Sequence, residues 1–378
     1  MRTFKSTQQD LHVRIVREIR HGRAASRGAL AEILEIAPST MGIHVEDLVR
    51  QGYLAESGLE RGAFGRPKRL LRLVPQAGWF AGIEFTGGSL RAVRLDFAGG
   101  GEVTLHEPLP AQITAAGMID RLEGAVRQLS QGASGMLLGV GVGSPGLVDP
   151  VKGEVVYSQF QADWSHVPLA GELTRRLGVR VTVENNLHVI TLAERSFGGG
   201  KNEDDFAVVR ARLGFGLGVV KGGRLLPGAH HAVGEIGMLP WPLDGGTQQV
   251  HDVLSAGTVW RRLQGAGESE QAPEDLRTAL MELAGTRGCA WNAVVTDYAR
   301  VLGMAQLMID ARVFFLHGPL TSLGSRFCED VMVRSLECIP ALAHSPLRLV
   351  LTHLGSEAGA LGAASLAMEA WNPEDAPR

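Results

Sequence analysis

Apolar residues recur at helical spacing near the start of the chain. Leu11, Ile15, Val16 and Ile19 share one face and predict a helix from Leu11 to Ile19, ending near Gly22. Ser26 is placed to cap a second helix carrying Leu30, Ile33 and Leu34. Ile36, Ala37 and Pro38 form a break, and Pro38 suits the first turn of a third helix. There Met41, His44, Val45 and Leu48 fall at i, i+3, i+4 and i+7, a stripe for burial on which His44 is a packing residue. Ser39, Gly42, Ile43 and Glu46 take the opposite face. Gly52 closes the helix and Tyr53-Leu54 begins a strand. From residue 78 the period changes to two. Trp79 to Glu84 and Leu90 to Leu95 read as strands about a Thr86-Gly87-Gly88 turn, and Leu137 to Val142 as an apolar strand ending in a Gly/Pro turn, Gly143 to Asp149. A similar hairpin recurs from Phe206 to Leu213, through Gly214-Phe215-Gly216-Leu217-Gly218, to Val219-Val220 and a Gly222-Gly223 turn. The repetition predicts an internal duplication, each half with a sheet, and a ligand cleft between the halves.

The 378 residues suffice for two or three domains of roughly 100–200 residues. A hydrophobic share of 45% against 20% charged argues for packed cores rather than disorder. Net charge is −3, but it is uneven: residues 1–75 hold 13 Lys and Arg against 8 Asp and Glu, a net of +5, which leaves −8 for the rest. A basic module joined to an acidic body is implied. Cys289, Cys328 and Cys338 lack CxxC spacing and are too few for a disulfide framework, so a reducing, cytoplasmic setting is expected. The start, MRTFKSTQQDLHVRIV, has no apolar signal core, and no run approaches about 18 apolar residues, so neither secretion nor a membrane span is expected. The polar stretch 264–275 reads as a surface loop between helices.

Helix, turn, helix and then a strand pair is the winged helix-turn-helix order, in which the second helix of the motif enters the major groove. The wing position, Arg61 to Arg69, reads RGAFGRPKR, and extended Arg and Lys there suit a phosphate backbone or narrow minor groove. The plainer account is a small helical domain with a solvated basic loop. The residues expected to touch DNA are Ser26, Arg27, Ser39, Thr40, Ile43, Arg61, Arg66, Lys68 and Arg69. Ile43 can meet a thymine methyl but cannot hydrogen-bond a base edge, so Ser39, Thr40 and the wing should carry most contacts.

The body resembles the repressor/open-reading-frame/kinase (ROK) family of the actin-like ATPase superfamily, and the resemblance runs through nearly the whole chain. It rests on Ser26-Arg27-Gly28-Ala29-Leu30, Gly65-Arg66-Pro67, the GVGxPGxVD-like segment Gly141 to Asp149, and Val183-Glu184-Asn185-Asn186. It continues through Ala193-Glu194, Gly198-Gly199-Gly200, Gly228-Ala229 to Gly234-Glu235-Ile236-Gly237, Arg312 to Gly318, and Gly359 to Ala364. The resemblance implies an α/β chain: an N-terminal winged helix-turn-helix (residues 1–75), then a two-lobed sugar-kinase-like fold. Its lobes are expected at 76–190, completed by a C-terminal helix at 355–371, and at 191–354, the latter carrying a dimerisation surface.

The departures bear on function. The family's kinases place a carboxylate general base where this chain has Asn186, and an amide has no useful basicity near neutral pH. The DxGGTK phosphate loop becomes Glu84-Phe85-Thr86-Gly87-Gly88-Ser89, and the GTGxG loop has Phe215 in place of a hydroxyl. ATP binding is therefore not expected. Met238 stands where the family's zinc-binding His would be, and no cysteine lies between Leu239 and Gly288, so no zinc or other metal is expected. The resemblance brings Asn185, Asn186, Glu235 and Asp252 to one sugar pocket, with Phe160 altering it; alternatively these groups satisfy one another.

The expected protein is thus a cytoplasmic transcriptional regulator of the repressor type, a homodimer or tetramer. It has no catalytic residues and no cofactor, binds operator DNA, and senses a sugar-type effector. The alternatives are an active ATP-dependent sugar kinase with an appended DNA-binding module, and a DNA-binding protein whose body is only a dimerisation scaffold. Met304, Leu307 and Met308 look like core, Trp79, Trp164, Trp241 and Trp260 like packing anchors, and Arg261-Arg262 like a solvated pair.

Overall fold

The computed structural model describes residues 8–60, 68–110, 112–158, 164–242, 248–267 and 269–373; side chains are described from residue 11 and not at 59, 60 and 68. The chain forms two compact units, residues 1–189 with 359–378, and residues 190–358.

The first unit opens with helices α1 (Gln8–Arg20), α2 (Arg27–Ile33) and α3 (Pro38–Arg50), followed by the strands β1 (Leu54–Glu60) and β2 (Lys68–Leu73). The two strands pair antiparallel, with a register shift between Glu56 and Gly58. Ile15, Val16, Leu30, Met41, Val45 and Leu48 are buried together with Leu54 and Leu71, the faces that the helical spacing singles out. Ile33 departs from the expected stripe and is 45% exposed. The reason is length: α2 stops at Ile33, and Glu35 turns the chain at a φ of 54°, so no further turn exists to cover that side chain.

The body of this unit continues with β3 (Trp79–Phe85), β4 (Ser89–Asp96), β5 (Val103–Pro108), α4 (Ala115–Leu129) and β6 (Leu137–Ser144). A small sheet of β7 (Leu147–Asp149), β8 (Glu154–Tyr157) and β9 (Ser165–Val167) follows, then α5 (Leu169–Leu177), β10 (Val181–Asn185) and the start of α6 (Asn186–Phe197). The main sheet runs β10-β6-β3-β4-β5, antiparallel through β3, β4 and β5 and parallel through β3, β6 and β10. The C-terminal helix (Ala358–Ala370) packs on it through small residues. A Cβ on Gly141 would sit 1.8 Å from the Ala363 carbonyl oxygen, so only glycine permits that approach.

The N-terminal module is joined to this body by side chains. Arg20 donates from Nη1 to the Met368 carbonyl (3.0 Å) and from Nη2 to the Phe97 carbonyl (2.9 Å), with its guanidinium 5.2 Å from the Phe97 ring centre. Arg17 donates to the Glu369 carbonyl at 3.3 Å. The Met368 and Glu369 carbonyls belong to the last turn of the C-terminal helix, where cations are favoured. Trp371 packs edge to face against both Tyr53 and Phe97 beside them, and those two rings lie tilted to each other.

The second unit holds β11 (Phe206–Ala211), β12 (Phe215–Lys221), β13 (Arg224–Leu225), the short pair β14 (Pro240–Trp241) and β15 (Gln248–Gln249), and helices α7 (Val250–Leu254), α8 (Ala256–Gln264), α9 (Leu276–Glu282) and α10 (Cys289–Ile309). It ends with β16 (Val313–His317), α11 (Ser325–Cys338) and β17 (Leu349–Leu351). Its sheet runs β13-β12-β11-β16-β17, with the same alternation of antiparallel and parallel pairs as the first. The duplication predicted from the two glycine-rich hairpins is present as two sheets of equivalent topology.

Trp79, Trp164, Trp241 and Trp260 are all buried. Two packing expectations need correction. Leu307 and Met308 are 48% and 71% exposed, because the buried stripe of α10 runs through Val294, Val295, Tyr298, Leu302 and Ala305; only Met304 packs against that core. Arg262 is not a solvated charge: it is half-buried, donating to Asp297 at 2.6 Å and to the Val253 carbonyl at 3.2 Å.

Candidate nucleic-acid interface and effector-site residues

The first turn of α3 follows Pro38 and presents Ser39 and Thr40 to solvent, while Met41 turns inward. One turn on, Ile43 is 68% exposed. His44 lies inward, its Nδ1 3.1 Å from Nε2 of the buried His12, whose Nε2 is 3.7 Å from Asp47 Oδ2. Burial holds the His12 imidazole below its ordinary value, His44 adds to the effect, and Asp47 partly offsets it.

Ser26 differs from its expected part in DNA contact. It is buried, and its hydroxyl accepts from the Ala29 amide at 3.3 Å, so it serves as the cap of α2. Arg27 and Arg69 are exposed enough to meet a ligand but are engaged by one carboxylate: Glu56 accepts from Arg27 at 2.8 Å and also from Arg69. Arg61 and Arg66 lie outside the described residues, as does the side chain of Lys68.

In the first unit, β10 ends at Asn185 and α6 begins at Asn186. The Asn185 side chain donates to the Gly146 carbonyl (2.7 Å) and accepts from the Leu187 amide (2.7 Å), fixing the Gly143-to-Asp149 turn to the start of α6. Asn186 is buried and donates to the Phe85 carbonyl at 3.0 Å, tying α6 to the first hairpin. Its Oδ1 is buried without a hydrogen-bond partner among the described residues. Glu84 is buried beside Gly359: a Cβ there would fall 2.1 Å from Glu84 Oε2. Thr86 closes the hairpin by donating its amide to the Ser89 carbonyl at 2.9 Å.

In the second unit, the loop to Gly237 is stapled on β12. Leu217 donates to the Gly234 carbonyl at 2.9 Å, and a Cβ on Gly234 would sit 1.7 Å from the Leu217 carbonyl oxygen. Phe215 is buried against Tyr298, ring centres 5.6 Å apart, so its side chain builds core and does not face a loop ligand. Glu235 is exposed on the loop, and Asp252 accepts from the Gln249 amide at 2.8 Å as part of the α7 capping box. Phe160 lies outside the described residues.

The sequence pattern that defines the ROK family matches residues 81–370. The chain belongs to the ROK family. Relatives carry both kinds of name found in it. The xylose repressor of Bacillus subtilis is 26% identical over 234 residues, 61% of this chain, and the glucokinase of Thermotoga maritima 26% over 272 residues, 67% of this chain and 85% of that protein. The DNA-binding transcriptional dual regulator NagC of Escherichia coli is 29% identical over 219 residues, 56% of this chain and 52% of NagC. The match spans about 60% of the xylose repressor's length. Among solved structures, a ROK family transcriptional regulator described as a homolog of the Escherichia coli MLC protein shares the fold, with a TM-score of 0.78 over 96% of both chains at 19% identity. A ROK family glucokinase from Streptomyces griseus, in complex with glucose and AMPPNP, has a TM-score of 0.61 over 77% of this chain and 99% of its own, at 23% identity.

The residues here do not fit the zinc that the resemblance to the family implies. Met238 is exposed, His251 offers one imidazole, and none of the three cysteines lies in that stretch, whereas Zn²⁺ takes four N or S ligands. Among the described residues no cluster of three His, Cys, Asp or Glu side chains could hold a metal, and no helix is long and apolar enough to cross a membrane.

Sequence reasoning overlooked three arrangements. Glu56 had no local signal, because its partners lie 29 and 13 residues away. Nothing in the sequence sets Arg20 apart from the other arginines of α1, because its partners Phe97 and Met368 lie 77 and 348 residues away. Glu194, fully buried, accepts from His317 Nε2 at 2.8 Å, from the Thr352 hydroxyl, and from the Gly199 amide at 2.8 Å. Burial pushes its carboxyl up, and the bonds from His317 and Thr352 more than offset this, leaving it below the usual carboxylate range.

Proposed function

We propose that this ROK protein is a DNA-binding transcriptional regulator of the repressor type, cytoplasmic, whose kinase-like body senses a sugar-type effector and does not catalyse phosphoryl transfer. The observation that carries the reading is the one-sided burial of α3: Met41, Val45 and Leu48 are wholly buried, while Ser39, Thr40 and Ile43 stand exposed at the helix start. A helix with a polar, sterically open N-terminal face, preceded by a packed helix pair and followed by a strand ribbon, suits insertion into a major groove as a winged helix-turn-helix. Residues 1–75 form that module in this reading. Arg27 and Arg69, with Arg61, Arg66 and Lys68, supply phosphate contacts; Ser26 contributes by capping α2. The names of the repressor relatives support the reading, as does the fold likeness to a regulator over 96% of this chain.

The body, with lobes at 76–190 and 191–354 and the helix at 355–371, recognises a small polyol through amides and carboxylates; Asn185 and Asn186 are the candidate contacts on the first unit and, separately, Glu235 and Asp252 those on the second. It pairs into a two-fold homodimer, or a tetramer built from it, through apolar side chains left exposed on α10 and α11, namely Leu307, Met308, Val333 and Leu336. Two reading helices would then meet half-sites about one helical turn apart or multiples of it. No cofactor enters this scheme.

The glucokinase relatives favour a second reading, an ATP-dependent sugar kinase. Against it stand the amide at position 186, bonded to a main-chain carbonyl, and Phe215 buried in the core. Fluorescence anisotropy on duplexes from the gene's own upstream region, against scrambled duplexes of equal length, tests the regulator. A preference of about a hundredfold or more is expected; equal affinities would sink it. A coupled ATP-consumption assay over hexoses and amino sugars should show no turnover, and turnover near that of a working kinase would favour the enzyme.

A further inference from the structure

Glu56 is the point where two candidate DNA contacts meet. Its Oε1 accepts from Nη1 of Arg27, at the start of α2, at 2.8 Å, and its Oε2 accepts from Nη1 of Arg69, on β2. The three side chains are 32%, 31% and 63% exposed, so solvent and ligands can reach the cluster. An exposed ion pair of this kind adds little to folding stability. What it does supply is geometry: two guanidiniums from separate elements are held on a pair of oxygens, as they would be by the two free oxygens of one backbone phosphate. The hydrogen bond from Arg27 first, and that from Arg69 next, hold the Glu56 carboxyl below the usual range and so favour its charged form.

We infer that Glu56 is an internal stand-in for a DNA phosphate, holding Arg27 and Arg69 converged in the free protein and yielding them to the backbone on docking. The inference rests on the DNA-binding reading above. In it Glu56 is a positioning residue that also sets a threshold: non-specific DNA must displace a carboxylate before it gains two cations, which restrains binding away from the operator.

The test is the affinity of the full chain, wild type and Glu56→Gln, for a random-sequence duplex across 0.05–0.2 M salt. Releasing the arginines should steepen the log–log salt dependence by about 1, so that the variant binds about eightfold tighter at the low end and about twofold tighter at the high end. Glu56→Ala should behave alike, and thermal melts check that both variants are folded. In a background already carrying Arg27→Ala and Arg69→Ala, adding Glu56→Gln should give no gain. Unchanged or weaker binding by folded variants would overturn the inference while leaving the DNA-binding reading intact. So would a gain that survives loss of both arginines, since that is a general charge effect. Failure of the wild type itself to bind any duplex overturns the reading beneath it.

Discussion

The side-chain amide of Asn186 donates to the main-chain carbonyl of Phe85 across 3.0 Å, tying the first residue of α6 to the last of β3. A carboxylate in that place would face a carbonyl oxygen with no proton to offer. The amide therefore does more than lack basicity: it closes a structural bond between α6 and the first hairpin.

Asn186→Asp is accordingly expected to destabilise the protein by about 1–3 kcal/mol at neutral pH without conferring sugar phosphorylation. The new carboxyl has a raised folded-state pKa, because only its protonated form can donate to Phe85. Its stabilising contribution is present at low pH and lost as pH rises through that value. Urea titrations at pH 7 and in mild acid should show the deficit shrinking on acidification. A gain of turnover in the ATP-coupled assay would contradict the assignment.

Arg20 bridges α1 to the end of the C-terminal helix and to Phe97. Arg20→Ala removes two charge-assisted hydrogen bonds and a cation–π contact, so a loss of about 3 kcal/mol or more is expected. Arg20→Lys should recover only part of it, since an ammonium lacks the fork that reaches two carbonyls at once. Chemical denaturation measures both, and proteolysis near residue 74 reports whether the module has come loose.

Ile43 separates folding from binding. Ile43→Glu on an exposed face should alter stability by no more than about 0.5 kcal/mol, yet weaken duplex binding about tenfold or more by setting a negative charge against phosphates. Circular dichroism melts together with anisotropy decide this. Unaltered affinity would place the DNA-contacting surface elsewhere.

His12 makes the N-terminal module sensitive to acid. Its pKa is lowered from the ordinary 6.5, mainly by burial, so the folded state binds fewer protons than the unfolded chain in that range. Stability is full above about pH 6.5 and declines as pH falls from there toward the depressed folded value. Unfolding free energies at pH 7.5 and 5.5 should differ, and His12→Gln should reduce the difference. Equal pH dependence in that variant would assign the effect to another group.

The surface of Leu307 and Met308 shows a limit of periodicity. Apolar spacing marks the faces of α10 that avoid water, but a helix of 21 residues has more apolar positions than one core covers. Which of them the neighbouring elements reach is decided by packing. Ile33 is exposed for the related reason that its helix ends too soon. By contrast Met41, Val45 and Leu48 were legible because a short helix with a single apolar stripe has only one way to bury it. The Ser26 cap was legible too, being a bond to a residue three positions on; its consequence, removal of the hydroxyl from solvent, was not.

Local regularities and covalent identity settle what can be read along the chain: helices and strands by their periods, the repeated hairpin, and an amide where kinases carry an acid. The partners of polar groups are another matter. Phe85 stands 101 residues from Asn186, Glu56 stands 29 from Arg27, and His317 stands 123 from Glu194. Hydrogen bonds act over about 3 Å, so which distant groups come that close depends on how sheets and helices pack. Only the tertiary structure decides which polar side chains hold the fold and which are left to meet a ligand.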